Sequence, residues 1–225
     1  MDDYLTETDQ WEALKRWLRE NGAWMVAGVI IGVGALFGYR WWEERQTTRA
    51  HTAHARYTDV LTALSRADKA RAVELADQLR RDLADTPYAD HADLVLARAH
   101  VDLGELEEAT RRLRAVMDSS DDPELRLIAR ERLARVQLAQ DRPDDALATL
   151  SGAESGAFTA RFDEIRGDAL LKKGDAAGAL AAYRAALAAK EPGLVDTGLL
   201  QLKINDLGAG EPDSTETPAP AEESQ

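Results

Sequence analysis

The fold follows from residues 167–179, which read Gly167-Asp-Ala-Leu-Leu-Lys-Lys-Gly-Asp-Ala-Ala-Gly-Ala179. Tyr183 and Ala186 follow at helical spacing. Gly174 permits the positive φ found at helix ends, so the stretch predicts two helices joined by a tight turn. Small residues at 167, 179 and 186 let these helices approach closely, and the ring of Tyr183 fills the space toward the next pair.

Two earlier stretches repeat this pattern. They are Leu96-Ala-Arg-Ala-His-Val-Asp-Leu-Gly-Glu-Leu-Glu-Glu-Ala109 and Leu133-Ala-Arg-Val-Gln-Leu-Ala-Gln-Asp-Arg-Pro-Asp-Asp-Ala146. The last alanines of the three stretches are 37 and 33 residues apart, close to the ~34-residue period of the tetratricopeptide repeat, a pair of antiparallel helices. The residues predicted to pack the repeats together are Leu96, Ala109, Leu113, Leu133, Ala146, Leu150, Gly167, Ala179, Tyr183 and Ala186.

The chain after residue 42 contains no convincing alternating strand pattern, and glycine and proline divide it into helices. An earlier pair with Leu75 and Leu79, followed by Pro87, could form a first repeat. One repeat cannot bury its own apolar face, so several must stack. The sequence predicts an all-α fold, a tetratricopeptide-like α-solenoid with a capping helix over its end. The predicted helices are 43–66, 69–84, 88–103, 105–117, 123–140, 143–150, 157–173, 176–190 and, as the cap, 193–207.

Residues 23–39 form a run of 17 without any charge. As a helix the run spans about 26 Å, close to the thickness of the bilayer hydrocarbon. Trp24 stands at one end of it, and Tyr39, Trp41 and Trp42 stand at the other. Such rings favour the two membrane–water interfaces. We therefore predict a transmembrane helix over 22–42.

Two alternatives to a membrane anchor are a buried helix of a soluble domain and a cleaved signal peptide. A soluble core helix normally keeps one polar face, and this run has none. A signal peptide ends in small residues at a cleavage site, whereas this run ends in Phe37-Gly-Tyr-Arg-Trp-Trp42. An uncleaved anchor fits both observations better.

The glycines inside the anchor come in pairs four residues apart, Gly28 with Gly32 and Gly34 with Gly38. This spacing lets two helices approach closely in lipid, although glycine is also simply common in such segments. Three basic residues precede the span closely and four follow it, so local charge leaves the orientation of the chain open.

The two ends of the chain are polar. Residues 1–21 contain Trp11, Leu14 and Leu18 at helical spacing, which is typical either of a short amphipathic helix or of a solvated lead-in with one apolar stripe. Residues 208–225 combine many acids with few apolar groups, so we expect this tail to be disordered.

Composition excludes several functions. Residues 43–225 carry 24 basic and 35 acidic groups, a net charge of −11 that argues against nucleic-acid binding. The chain has no cysteine, which excludes disulfides, cysteine nucleophiles and thiolate metal sites. His51 and His54 are three apart, but nothing nearby completes a metal-ligand set. No catalytic or phosphate-binding motif occurs, so we predict a non-enzymatic protein without a cofactor.

The whole arrangement resembles the YfgM family, the ancillary subunit of the bacterial SecYEG translocon. The resemblance covers roughly residues 4–207. It is carried by the glycine-rich span with its Glu20-Asn-Gly-Ala23 and Tyr39-Arg-Trp-Trp42 flanks, by several repeat segments and by Leu199-Leu-Gln-Leu-Lys-Ile-Asn-Asp-Leu207. Those repeat segments are Pro87-Tyr-Ala89, Leu94-Val-Leu-Ala-Arg98, Arg132-Leu-Ala-Arg135, Asp145-Ala-Leu147, Gly167-Asp168, Lys173-Gly-Asp175 and Ala182-Tyr183.

The resemblance implies a bacterial inner-membrane protein with residues 1–21 in the cytosol and a helical-repeat domain, 43–207, in the periplasm. It implies association with SecYEG and with the periplasmic chaperone PpiD, help in passing secreted chains to periplasmic chaperones, and a cytosolic link to restraint of the Rcs stress-response regulator. Membrane lipid and unfolded secreted chains are the other expected partners. The alternative hypothesis is a cytosol-facing scaffold or regulator that self-associates through Gly28 and Gly32.

Overall fold

A computed structural model describes residues 7–152, 155–189 and 195–208. Within these ranges the chain is helical and contains no strand, which confirms the predicted all-α class. The helices are α1 (Glu7–Ser65), α2 (Lys69–Leu83), α3 (Pro87–Asp102), α4 (Leu106–Ser119), α5 (Pro123–Ala139), α6 (Pro143–Leu150), α7 (Thr159–Lys172), α8 (Ala176–Ala188) and α9 (Thr197–Gly208), with a short 3₁₀ turn at Gly156–Phe158 before α7. The tail predicted to be disordered was 208–225. Gly208 is instead the last residue of α9, and residues 209–225 lie outside the described residues.

The first helix is longer than the sequence pattern indicates. The lead-in from Glu7, the apolar run and the predicted helix 43–66 are one continuous helix of 59 residues, Glu7–Ser65. Proline first occurs at position 87, so nothing in this stretch removes a backbone donor, and the glycines only weaken the helix. No helix-breaking residue lies between the lead-in, the apolar run and the predicted helix 43–66, so the three form one helix.

The chain divides into two units, residues 1–54 and 55–225. In the first unit, α1 contains the one described segment long and apolar enough to cross a membrane, and no residue of that window is buried. Trp24 is 80% exposed, and the ring centroids of Tyr39 and Trp42 lie 6.3 Å apart. A Cβ built on Gly28, Gly32, Gly34 or Gly38 would meet nothing within 4 Å. Both the aromatic positions and the glycine face are open.

The second unit is built from helix pairs joined by the same turn. Gly104 and Gly174 have φ of +75° and +82°, and Asp141 occupies the equivalent place at +60°. In each turn a backbone N–H reaches the carbonyl five residues back, for example Glu105 to His100 at 2.8 Å. These bonds satisfy carbonyls that a helix end would otherwise leave unpaired, so each turn holds two helices antiparallel.

A fourth turn of this kind lies at Ala67. Its φ is +57°, and the N–H of Asp68 bonds the carbonyl of Ala63 at 2.9 Å. Ala67 precedes Gly104 by 37 residues, the same interval that separates Gly104 from Asp141. The end of α1 and α2 therefore form a first pair, ahead of α3/α4, α5/α6 and α7/α8.

The core of the second unit lies between successive pairs. One cluster joins Leu94 and Ala97 of α3 to Leu113 of α4 and Leu133 of α5, and a last one joins Tyr183 of α8 to α9. Leu200 and Ile204 place α9 over the final pair, where a capping helix was expected. The ten predicted packing residues all lie in this core, nine of them at 2% exposure or less and Gly167 among the buried residues of α7.

Candidate protein-binding groove

A groove of about 320 Å³ opens between α3 and α5. We call it the α3–α5 groove. Its floor is apolar, and three arginines stand at its edges. The lining residues are Ala97, Arg98, Val101 and Asp102 of α3, Leu113 of α4, and Arg132, Arg135 and Val136 of α5.

Helical periodicity builds this groove from two matching faces. On α3, Ala97 and Val101 are four residues apart and turn toward the floor, and on α5, Arg132 and Val136 have the same spacing. The short side chain of Ala97 leaves the space that a leucine would fill. Ala97 therefore contributes to the depth of the groove.

The groove is rich in arginine within an acidic protein. Its lining holds three arginines and one aspartate, whereas the whole chain has a net charge of −13. The Nε of Arg98 bonds Asp102 at 2.8 Å. Arg135 is shared between Glu131 and Glu164, at 3.1 and 3.6 Å. Arg132 is exposed and forms no ion pair with any residue that the structure describes. This arrangement suits an extended segment with carboxylates around an apolar centre.

Buried carboxylates join the pairs beside the groove. Asp93 of α3, Glu131 of α5 and Glu164 of α7 are each 9% exposed or less. Asp93 accepts hydrogen bonds from the Nε of Arg80 and from the Nη1 of Arg112, each at 2.9 Å. Burial lowers the pKa of both guanidinium groups, but Asp93 and the neighbouring carboxylates outweigh it and leave each pKa raised. Both arginines therefore remain charged, and they connect α2 and α4 to α3.

At the other end, Tyr183 connects the last helices. Its hydroxyl donates to Oδ1 of Asp168 at 2.7 Å, and the Nζ of Lys203 reaches the same oxygen at 2.7 Å. Burial raises the pKa of Tyr183, and the bond to Asp168 raises it further. Because Lys203 also lies 5.3 Å from the centre of the Tyr183 ring, this contact fastens α9 to α7 and α8.

The residues predicted to pack the repeats and the residues that line the groove are largely different. Leu113 alone belongs to both sets, and the other nine repeat-packing residues do not line the groove. The signal for the groove was the repeated Leu-Ala-Arg at 96–98 and 133–135. Its arginines occupy equivalent positions in two repeats, which places them at the same edge of neighbouring helices.

Histidine contributes to packing in this unit. His100 is buried, and its Nδ1 lies 2.7 Å from Oε2 of Glu105, across the turn between α3 and α4. Over residues 7–152, 155–189 and 195–208, the structure contains no group of three or more His, Asp or Glu residues arranged to hold a metal ion.

Comparison with known proteins gives the family. Residues 15–209 match the family model of a tetratricopeptide repeat-like domain. A protein of Escherichia coli K12 is 38% identical over 208 residues, covering 92% of this chain and 99% of its own length. Relatives from Haemophilus influenzae and Neisseria gonorrhoeae are 27% and 24% identical, covering 90% and 92% of this chain and 98% and 100% of their own lengths.

All three relatives are named ancillary SecYEG translocon subunit. The non-enzymatic nature expected from the sequence agrees with this scaffold family, which is not a family of enzymes. The family suggested by the glycine-rich span and the repeat motifs is thereby confirmed. The chain belongs to the tetratricopeptide-repeat-like family whose curated members are the ancillary SecYEG translocon subunits.

Proposed function

We propose that this protein is a non-enzymatic inner-membrane scaffold at the SecYEG translocon. The relative of Escherichia coli, aligned over nearly its whole length, bears that name, and this similarity is the observation that carries the proposal. The exposed apolar segment of α1 supports a membrane location because a fully exposed run of this length is unstable in water. In this proposal residues 22–42 span the membrane.

The finer role follows from the topology that we propose. Residues 1–21 lie in the cytosol, and residues 43–207 lie in the periplasm, where emerging chains leave the channel. The repeat domain holds extended segments of secreted chains or of the chaperone PpiD, and the α3–α5 groove offers the matching surface. Contact with the Rcs regulator is assigned to the cytosolic residues. The tether raises the concentration of the groove beside the pore.

The first test removes the tether. We expect deletion of residues 1–42 to reduce copurification with SecYEG from detergent extracts by about tenfold or more, since the local concentration beside the channel is lost. Affinity purification with quantitative immunoblotting of SecY measures this. An unrelated membrane helix in place of 22–42 is the control, and it should restore copurification if tethering alone is required. Unchanged copurification after the deletion would contradict the proposal.

The second test determines the orientation. Protease added to intact spheroplasts should digest residues 43–207 while a cytosolic marker protein stays intact. Immunoblotting against the repeat domain follows the digestion. If the domain resists until the inner membrane is broken, the periplasmic assignment is wrong. The cytosol-facing scaffold, self-associating through the open face of Gly28 and Gly32, is then the better account.

A further inference from the structure

Four apolar side chains form one uncovered face on the part of α1 that precedes the apolar run. They are Trp11, Leu14, Trp17 and Leu18, which are between 47% and 60% exposed, and we call them the lead-in face. We propose that this face lies on the lipid–water interface of the membrane that α1 crosses. The inference uses only the membrane span assigned to residues 22–42 and does not depend on the translocon.

The lead-in face is one side of a regular helix. At about 100° per residue, its four members lie within about 120° of the helix circumference. This width is typical of the apolar stripe of an amphipathic helix. The opposite side of the helix carries exposed charged residues, which are Glu12, Arg16, Arg19 and Glu20. A helix with this division of side chains is suited to lie in a membrane surface, with its apolar side toward the lipid.

The lead-in face continues into the membrane span. Leu18 lies seven residues after Trp11 and seven residues before Met25, so the three side chains occupy nearly the same side of α1. Met25 belongs to the uncharged run of residues 23–39 and is 47% exposed. The surface that lipid covers at Met25 is therefore prolonged by the lead-in face. This continuity identifies the membrane as the partner of that face.

The residue types of the lead-in face match the interface rather than the hydrocarbon. Two of the four are tryptophan, whose amphipathic ring favours the level of the lipid headgroups. The Nζ of Lys15 lies 5.8 Å from the centre of the Trp11 ring, so this long side chain can reach toward water while the ring stays in the interface. Residues 7–21 contain four acids and three bases. Net charge therefore does not drive the contact, and a zwitterionic lipid is sufficient.

A weak point in α1 lies between the lead-in face and the span. A straight, upright helix would hold Trp11 about 18 Å outside Ala23, beyond a headgroup layer of about 5–8 Å. The Nδ2 of Asn21 donates to the carbonyl of Trp17 at 3.0 Å, which is the carbonyl that the backbone N–H of Asn21 uses in a regular helix. Gly22 follows directly. Glycine and such side-chain bonds are where helices bend, so on the membrane α1 bends there and its lead-in face follows the surface.

The test measures the depth of single tryptophans in the full-length chain. The chain is placed in nanodiscs of phosphatidylcholine that is brominated near the top of its acyl chains, because bromine quenches a tryptophan that lies in lipid. The first variant keeps Trp11 and has phenylalanine in place of the other four tryptophans. We expect the brominated lipid to remove about half of its emission, as for an interfacial ring. Raising the salt concentration should leave this quenching unchanged, since screening weakens only charge pairs.

A matched control places the only tryptophan on the opposite side of the helix. This control is Arg16→Trp, with phenylalanine at all five natural tryptophan positions. Position 16 is nearer to the span than Trp11 is, so a helix that merely sinks into lipid would quench it more. We expect the brominated lipid to remove less than about one-tenth of its emission, and iodide in the water to quench it at least about twofold more than Trp11. A third variant keeps Trp24 alone and verifies insertion of the anchor. Circular dichroism verifies that all three variants remain helical.

Three results would overturn the inference while the anchor stays inserted. In the first, the brominated lipid quenches Trp24 but not Trp11, so the lead-in face lies in water. In the second, it quenches Trp11 and the Arg16→Trp control equally, so no one face is turned to the membrane. In the third, Trp11 is protected from both bromine and iodide, so a protein surface such as a second copy covers it. If Trp24 itself is not quenched, the membrane span of the proposed function is wrong as well.

Discussion

Replacing Asp93 with alanine is expected to lower the free energy of unfolding of the repeat domain by about 3 kcal/mol. Asp93 is 2% exposed and holds Arg80 with one oxygen and Arg112 with the other. Without this carboxylate, the charges of two mostly buried guanidinium groups are less well balanced by negative charge. The loss falls at the lower end of the usual range because Arg112 keeps its bond to Asp77 at 2.7 Å.

Urea unfolding followed by far-ultraviolet circular dichroism measures this loss. Tryptophan fluorescence does not report unfolding of the repeat domain, because all five tryptophans precede residue 43. The control is Asp144→Ala, which removes a carboxylate that is 79% exposed and paired with Lys173. An exposed pair of this kind contributes less than about 1 kcal/mol. If the two variants were equally stable, the buried ion pairs would not connect α2, α3 and α4.

A companion variant separates charge pairing from packing at this position. Arg80 also pairs with the buried Asp90, and Arg112 also pairs with Asp77. The variant therefore replaces Arg80 with methionine, Asp93 and Arg112 with leucine, and Asp77 and Asp90 with asparagine, so that no charge of the cluster is left without its partner. Such replacements of buried ion pairs are often neutral or stabilising. We expect this fivefold variant to be more stable than Asp93→Ala, and a larger loss of unfolding free energy would show that shape, rather than uncompensated charge, dominates.

Replacing Tyr183 with alanine is expected to cost about 4 kcal/mol, in the range found for deleting a buried aromatic ring. The ring is fully buried, packs on Gly167 and belongs to the core cluster that includes Leu200 of α9. The variant also loses the hydrogen bond from its hydroxyl to Asp168. The same urea titration measures the loss, and a cost below about 1 kcal/mol would mean that the core around α9 collapses onto the cavity.

A second substitution tests the contact itself. A Cβ on Gly167 would lie 2.3 Å from a ring carbon of Tyr183, so Gly167→Ala should cost about 1–3 kcal/mol in the parent. In the Tyr183→Ala background it should cost nothing, because alanine is the better helix former. Gly198→Ala, where the nearest atom is 3.3 Å away, is the control and should show no such dependence. Equal effects in both backgrounds would mean that the two residues are not coupled.

The helix pairs from α3 to α8 were predictable because local chemistry specifies them. Pro87, Pro123 and Pro143 lie at or beside helix starts, and Gly104 and Gly174 allow the positive φ of the turns. The first pair was less predictable from the sequence. Its turn has a positive φ at Ala67, and alanine, unlike glycine, does not indicate this conformation. There the surrounding hydrogen bonds impose the backbone geometry.

The sequence by itself determined the apolar run of residues 23–39, the repeat period and the residues that fill the core, because these depend on composition and on spacings within one or two helices. Only the tertiary structure decided the ionic contacts between different helices and the place where the groove opens. Arg161 reaches Glu131 and Lys203 reaches Glu164, across 30 and 39 residues respectively. Such contacts arise when stacked helices bring distant turns together, and no local pattern in the chain encodes which charges then meet.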